Sequence, residues 1–170
     1  MELARPNRSP SPDPAAGARP GRLNLLLSYA GWQPDSWADR LPRLLEPMGV
    51  RSLRAKTGRE ASAVLRTNPI HIAVVDLGLP LDETASPTTL DEAGPRLLQL
   101  LARLDRPPPT VVVKRTRTQR DDARELIAAL SAGAFAVIDR PRDARDIELL
   151  LEVLKRCLTR HYRGCWPQQT

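Results

Sequence analysis

One carboxylate in this chain of 170 residues stands where chemistry is usually done. His71-Ile72-Ala73-Val74-Val75-Asp76-Leu77-Gly78-Leu79-Pro80 is a β-branched, uncharged run that ends in an acid and then a Gly/Pro turn. An apolar run of that length reads as a buried parallel strand. In open α/β sheets, ligands bind just outside the carboxyl ends of the strands. Asp76 is therefore the candidate reactive group. Three roles are open to it: an inert carboxylate closing a strand, one half of an ion pair, or a phosphoryl acceptor.

A second cluster is cationic. Lys114-Arg115-Thr116-Arg117-Thr118-Gln119-Arg120 holds four cations in seven residues, at a turn from strand to helix. A helix N-terminus with nearby cations suits an anion, whether phosphate, nucleotide or nucleic-acid backbone. The segment has no glycine-rich phosphate loop and no aromatic platform for stacking bases. Catalytic pairs are not apparent. His71 opens its strand, His161 lies near the chain end, and no serine elbow or P-loop appears. The expectation is no enzymatic activity. Cys157, Cys165 and the two histidines make no zinc-type cluster, so no metal and no cofactor are expected, and the thiols read as reduced. The formal charge of +6 is mostly arginine and scattered along the chain, so nucleic acid is not the expected partner. The absence of a membrane-length apolar run or an apolar leader points to the cytoplasm.

The elements that must position these residues alternate. Residues 1–22 hold five prolines among small and polar groups and read as a disordered tail. Leu23–Ser28 reads as a strand. Trp37, Leu41, Leu44, Leu45 and Met48 give helical spacing over 35–48, with Pro42 expected to kink that helix or delay its start. Val50–Ala55 is a strand, and Thr57-Gly58-Arg59-Glu60 opens a helix that Asn68-Pro69 ends. After the Asp76 strand, residues 81–92 form a polar, acidic loop. Leu97, Leu98, Leu100, Leu101 and Leu104 mark a third helix, and Thr110–Val113 a fourth strand. Ala123, Leu126, Ile127 and Leu130 mark a helix over 119–132, ended by Gly133. Ala134–Ile138 is a fifth strand, and 143–158 a last amphipathic helix. Five strand-helix repeats with uniformly apolar strands predict an α/β fold: a doubly wound parallel sheet of five strands, order 2-1-3-4-5.

With the elements placed, residues 22–158 resemble the receiver domain of two-component response regulators, a flavodoxin-like fold of the CheY type. Ala55-Lys56-Thr57-Gly58-Arg59-Glu60-Ala61 is similar to the family's Ala-x-x-Gly-x-x-Ala helix start. Asp76-Leu77-Gly78-Leu79-Pro80 is similar to its Asp-x-x-Leu-Pro phosphoacceptor turn. Ala132-Gly133-Ala134 and Arg140-Pro141 match its Gly-Ala before the last strand and its Lys-Pro turn after it. The resemblance implies that Asp76 occupies the phosphoacceptor position. It also implies that two acids at the end of the first strand should help hold magnesium. Ser28 and Tyr29 stand there instead, Lys114 replaces a hydroxyl residue after the fourth strand, and Arg140 replaces the lysine after the fifth. The pocket of Asp76, Ser28, Tyr29, Lys114 and Arg140 thus keeps one acid and gains a cation. That set suits an ion pair of Lys114 or Arg140 with Asp76 better than a metal-assisted phosphoryl transfer.

The reading is a stand-alone, phosphorylation-degenerate receiver: a cytoplasmic signalling module that works by protein interaction. Its domain runs over 23–158, with tails at 1–22 and 159–170. The resemblance points to the fourth helix, fifth strand and fifth helix as the docking face for a protein partner or a second copy, carrying Arg120, Arg124, Arg142, Arg145 and Glu148. Tyr162 and Trp166 either pack on the last helix or anchor a partner, and the 81–92 loop is a candidate lid. Two alternatives remain: a receiver phosphorylated on Asp76, and an anion or nucleic-acid module using the 114–120 turn.

Overall fold

The structure, a computed structural model, describes residues 22–30, 36–84, 93–114 and 118–163. The expected tail at 1–21, most of the acidic loop (85–92), Arg115 and Arg117, and residues 164–170 with Cys165 and Trp166 lie outside the described residues. The chain runs β1 (Leu23–Ser28), α1 (Trp37–Leu45), a short 3-10 turn (Glu46–Met48), β2 (Val50–Ala55), α2 (Gly58–Thr67) and β3 (Ile72–Asp76). It continues through α3 (Ala93–Ala102), β4 (Thr110–Lys114), α4 (Gln119–Ser131), β5 (Ala136–Asp139) and α5 (Ala144–His161). All strand pairs are parallel, in the order β2-β1-β3-β4-β5. This is the doubly wound sheet expected from the repeats.

The central strands carry apolar residues on both faces because both faces are covered. Leu25, Leu27, Val74 and Val111 pack with α1 and α5, through Leu41, Leu45, Leu150 and Leu154. Leu26, Ala73 and Val75 pack with α2 and α3, through Ala61, Leu97 and Leu101. Local signals set the ends. The Thr57 hydroxyl accepts the Glu60 N–H at 3.1 Å, while the Glu60 carboxylate accepts the Lys56 N–H at 2.7 Å, a variant of the capping box. Asp143 caps α5 by accepting the Asp146 N–H at 2.9 Å. Gly133 closes α4 with φ of +88°, a left-handed position that glycine takes without strain.

Two expectations need correction. The first helix begins at Trp37 rather than 35 and runs through Pro42 to Leu45. The last helix does not stop at 158 but continues to His161, so part of the expected C-terminal tail is helical. Tyr162 then turns back onto the sheet, where its hydroxyl donates to the His71 carbonyl and its ring meets the His71 ring edge-on. The apolar stripe of α4 is exposed. Only Ala129 is buried there, while Leu126, Ile127 and Leu130 are exposed. β5 is an edge strand with no strand beyond it, so a helix over it has little sheet to cover.

Candidate functional site

Asp76 is the last residue of β3 and is fully buried. The turn after it is held from three sides. Leu77 N–H donates to the Val113 carbonyl at 3.0 Å, Gly58 N–H to the Pro80 carbonyl at 2.8 Å, and Ala93 N–H to the Leu79 carbonyl at 2.8 Å. Gly94 lies against this turn so closely that a Cβ there would sit 2.5 Å from the Asp76 carbonyl oxygen and 2.6 Å from Leu77 Cα. Gly94 therefore lets α3 start on the site backbone. A glycine at a helix start was the only sequence signal for this contact.

The Asp76 carboxylate faces one cation. Arg140, just past β5, places Nη2 2.8 Å from Oδ1 and 3.0 Å from Oδ2, and the Gly78 N–H donates to Oδ1 at 2.8 Å. The Asp76 side chain is 1% exposed and that of Arg140 25%. A single guanidinium nitrogen makes both contacts, and the buried Nε has no partner among the described residues. The fork of the arginine is thus not used, and Arg140 acts here as a point charge.

The other pocket residues face elsewhere. Ser28 is buried in β1, and its hydroxyl donates to the Val74 carbonyl at 2.9 Å. Tyr29 does not fill the cleft, as its sequence position suggested. It is 3% exposed and packs edge-on against Trp37, with ring centres 6.4 Å apart, in the core under α1 and α5. Lys114 does not pair with Asp76. Its Nζ lies 3.0 Å from Asp139 Oδ1 and 3.2 Å from Asp122 Oδ2. Asp139 is its neighbour in the β4–β5 register. The hydrogen bond that Lys114 donates to Asp139 raises its pKa most; partial burial works against this, and the hydrogen bond to Asp122 and the charges of both acids add to the rise. Both acids were visible in sequence, but their placement beside Lys114 is a matter of register.

This donor set does not fit a small divalent cation. Such an ion wants several oxygen ligands, and carboxylates first. Asp76 supplies one carboxylate, already against a guanidinium, and the Ser28 oxygen is bonded to the backbone. Among the described residues no group of three or more His, Cys, Asp or Glu is placed to hold a metal ion. Nor, among them, is any helix long and apolar enough to cross a membrane.

The residues expected for docking lie on α4, on the turn after β5 and on α5. Arg120, Arg124, Arg142, Arg145 and Glu148 are all exposed. Leu126, Ile127, Leu130 and Leu149 are exposed on the same two helices, at 39%, 64%, 51% and 59%. Of the basic turn at 114–120, Lys114 is taken up by two acids and Arg120 is exposed, while residues 115–117 lie outside the described residues.

No protein-family model and no curated protein matches the chain. Solved structures do. A CheY-like response regulator receiver domain from Methanospirillum hungatei JF-1 is similar at 23% identity and a TM-score of 0.63, over 85% of this chain and 99% of that one. The chain has the receiver-domain fold. The receiver domain of a signal transduction histidine kinase from Syntrophus aciditrophicus is similar at 22% identity and a TM-score of 0.59, over 82% and 92%. A response regulator from Burkholderia pseudomallei, solved with a phosphorylated aspartic acid, calcium and citrate, is similar at 20% identity and a TM-score of 0.58, over 78% and 66%.

Proposed function

We propose that this chain is a receiver-type signalling module, cytoplasmic and without enzymatic activity, that works by docking to protein and does not take a phosphoryl group. The observation that carries this reading is the Arg140 guanidinium against both oxygens of the buried Asp76 carboxylate. A receiver needs that carboxylate free to attack phosphorus, with a metal ion to neutralise the incoming charge. Here a resident cation takes the place of the ion, and Ser28 and Tyr29 stand where acids would help bind it. Arg140 is always charged, so the pocket does not empty and refill with a signal.

Docking then falls to α4, β5 and α5. Exposed apolar groups framed by charge are the usual makings of an interface, with the charged rim selecting the partner. Leu126, Ile127, Leu130 and Leu149 supply the first, and Arg120, Arg124, Arg145 and Glu148 the second. A signalling protein or a second copy of the chain would suit this face.

The test is incubation with magnesium and acetyl phosphate, followed by intact mass. No phosphate adduct is expected. A stoichiometric, magnesium-dependent adduct that Asp76→Asn abolishes would establish the rival reading, a receiver phosphorylated on Asp76.

A further inference from the structure

The excess positive charge is spread along the sequence but not over the molecule. In a parallel α/β domain all strands begin, and the helices between them end, at one end of the sheet. Here that end lies opposite Asp76. Arg22 and Arg51 stand at the starts of β1 and β2, and Arg43 and Arg66 in the last turns of α1 and α2. Arg103 and Arg106 follow α3. Lys155, Arg156, Arg160 and Arg163 run along and past the second half of α5. These ten cations face three acids at that end, Glu46, Asp105 and Glu152, whereas the rest of the described chain holds eleven cations and twelve acids. Among the described residues the whole surplus sits at one end.

All ten cations are exposed. Among the described residues only Lys155 has an ion-pair partner, Glu152 at 3.7 Å. Two hollows open there. One, of about 220 Å3, is lined by Arg22, Arg43 and Arg51 with Glu46. The other is lined by Lys155, Arg156, Thr159, Arg160 and Arg163. Because α1 and α5 pack on the same face of the sheet, the two hollows lie on neighbouring elements. Cations at helix C-termini complement the helix dipole, which accounts for Arg43, Arg66 and Arg160. It does not account for Arg22 and Arg51 on strand starts, or for Arg103 and Arg106 in a connection. Unpaired like charges repel, so this arrangement costs stability unless an anion meets it.

We propose that this basic end binds a nucleic-acid backbone, without reading its sequence. Nine of the ten cations are arginine, whose planar fork suits phosphate. Four strand spacings make the sheet edge roughly 19 Å wide, a length over which a duplex carries about 11 phosphate charges. A lipid surface fits less well: the exposed large apolar groups at that end are the aliphatic Leu44, Leu100 and Leu104, with no exposed aromatic anchor among the described residues. Among the described residues, the docking face on α4 and α5 and the Asp76 pocket carry none of these ten cations.

The test uses the full chain and a labelled random duplex of about 20 base pairs, followed by anisotropy from about 50 mM salt upward. Binding is expected at low salt and should weaken steeply as salt rises. Each lost phosphate contact lowers the slope of log K against log salt by about 0.9, so Arg156→Ala/Arg160→Ala/Arg163→Ala should lower it by about 3 and Arg43→Ala/Arg51→Ala by about 2. Arg120→Ala/Arg124→Ala, the same kind of charge change on α4, should leave it unchanged. No binding at low salt, or an equal loss from the α4 pair, would overturn the proposal. So would polyglutamate or phosphatidylserine vesicles binding as tightly as the duplex, which would mean an acidic protein or a lipid surface instead.

Discussion

Arg140→Ala should leave the Asp76 carboxylate buried and supported, among the described residues, by the Gly78 N–H alone. Two unit charges about 4 Å apart attract by about 4 kcal/mol at an effective dielectric of 20. Removing one partner of a fully buried pair costs about 3–5 kcal/mol. The Arg140 side chain is a quarter exposed, so water can enter the space it leaves, and the expected loss is about 2–3 kcal/mol. Asp76→Asn removes the charge but keeps the shape. If the two side chains form a pair, the double variant should lose less than the sum of the single ones, with a coupling of about 2 kcal/mol. Arg140→Lys separates charge from geometry. Because only Nη2 touches the carboxylate, a lysine ammonium should retain most of the stability, with a cost below about 1 kcal/mol. Urea unfolding monitored by far-UV circular dichroism measures all four proteins. Lys114→Ala is the internal control. Its partner Asp139 is largely exposed, so the cost should be below about 1 kcal/mol and additive with Asp76→Asn. Additivity of Arg140→Ala with Asp76→Asn would refute the pair, whatever the size of the single losses.

Two further outcomes follow from contacts away from the carboxylate. His71 Nδ1 accepts the Asn24 backbone N–H at 2.9 Å, which requires an unprotonated nitrogen. Burial pushes its pKa below 6.5. The unfolded chain therefore takes up the proton first. The stabilisation is fully present above about pH 6.5 and is lost as pH falls from there toward the lowered folded value. His71→Gln should flatten the fall in urea midpoint between about pH 7 and pH 5, and an unchanged slope would show that His71 does not set it. Gly94→Ala should cost about 2 kcal/mol, because the new Cβ meets backbone at Asp76 and Leu77 that cannot rotate away. An equal or higher urea midpoint for that variant would show that α3 can shift at no cost.

The strand order, the element types and the place of Asp76 were all legible in the sequence. Apolar strand runs, helical spacing and caps such as Thr57 and Asp143 are local, and each element agrees with its neighbours. That Ser28 and Tyr29, rather than acids, stand at the end of the first strand was legible too, because it is a matter of residue type. Choosing between Lys114 and Arg140 as the partner of Asp76 was not. That choice depends on where β4 and β5 end beside one another: Lys114 comes opposite Asp139, and Arg140 comes one residue later to β3's acid. The exposure of the α4 stripe was not legible for a related reason. Spacing shows which residues share a face, but not whether a sheet lies beneath it, and an edge strand leaves Ile127 in solvent. Charge shows the difference most plainly. Nine of the arginines that seem scattered from 22 to 163 come together at one end because strands run parallel and the helices return antiparallel to them. Composition determined how much positive charge the chain carries. Only the winding of the chain decided that it has a basic end.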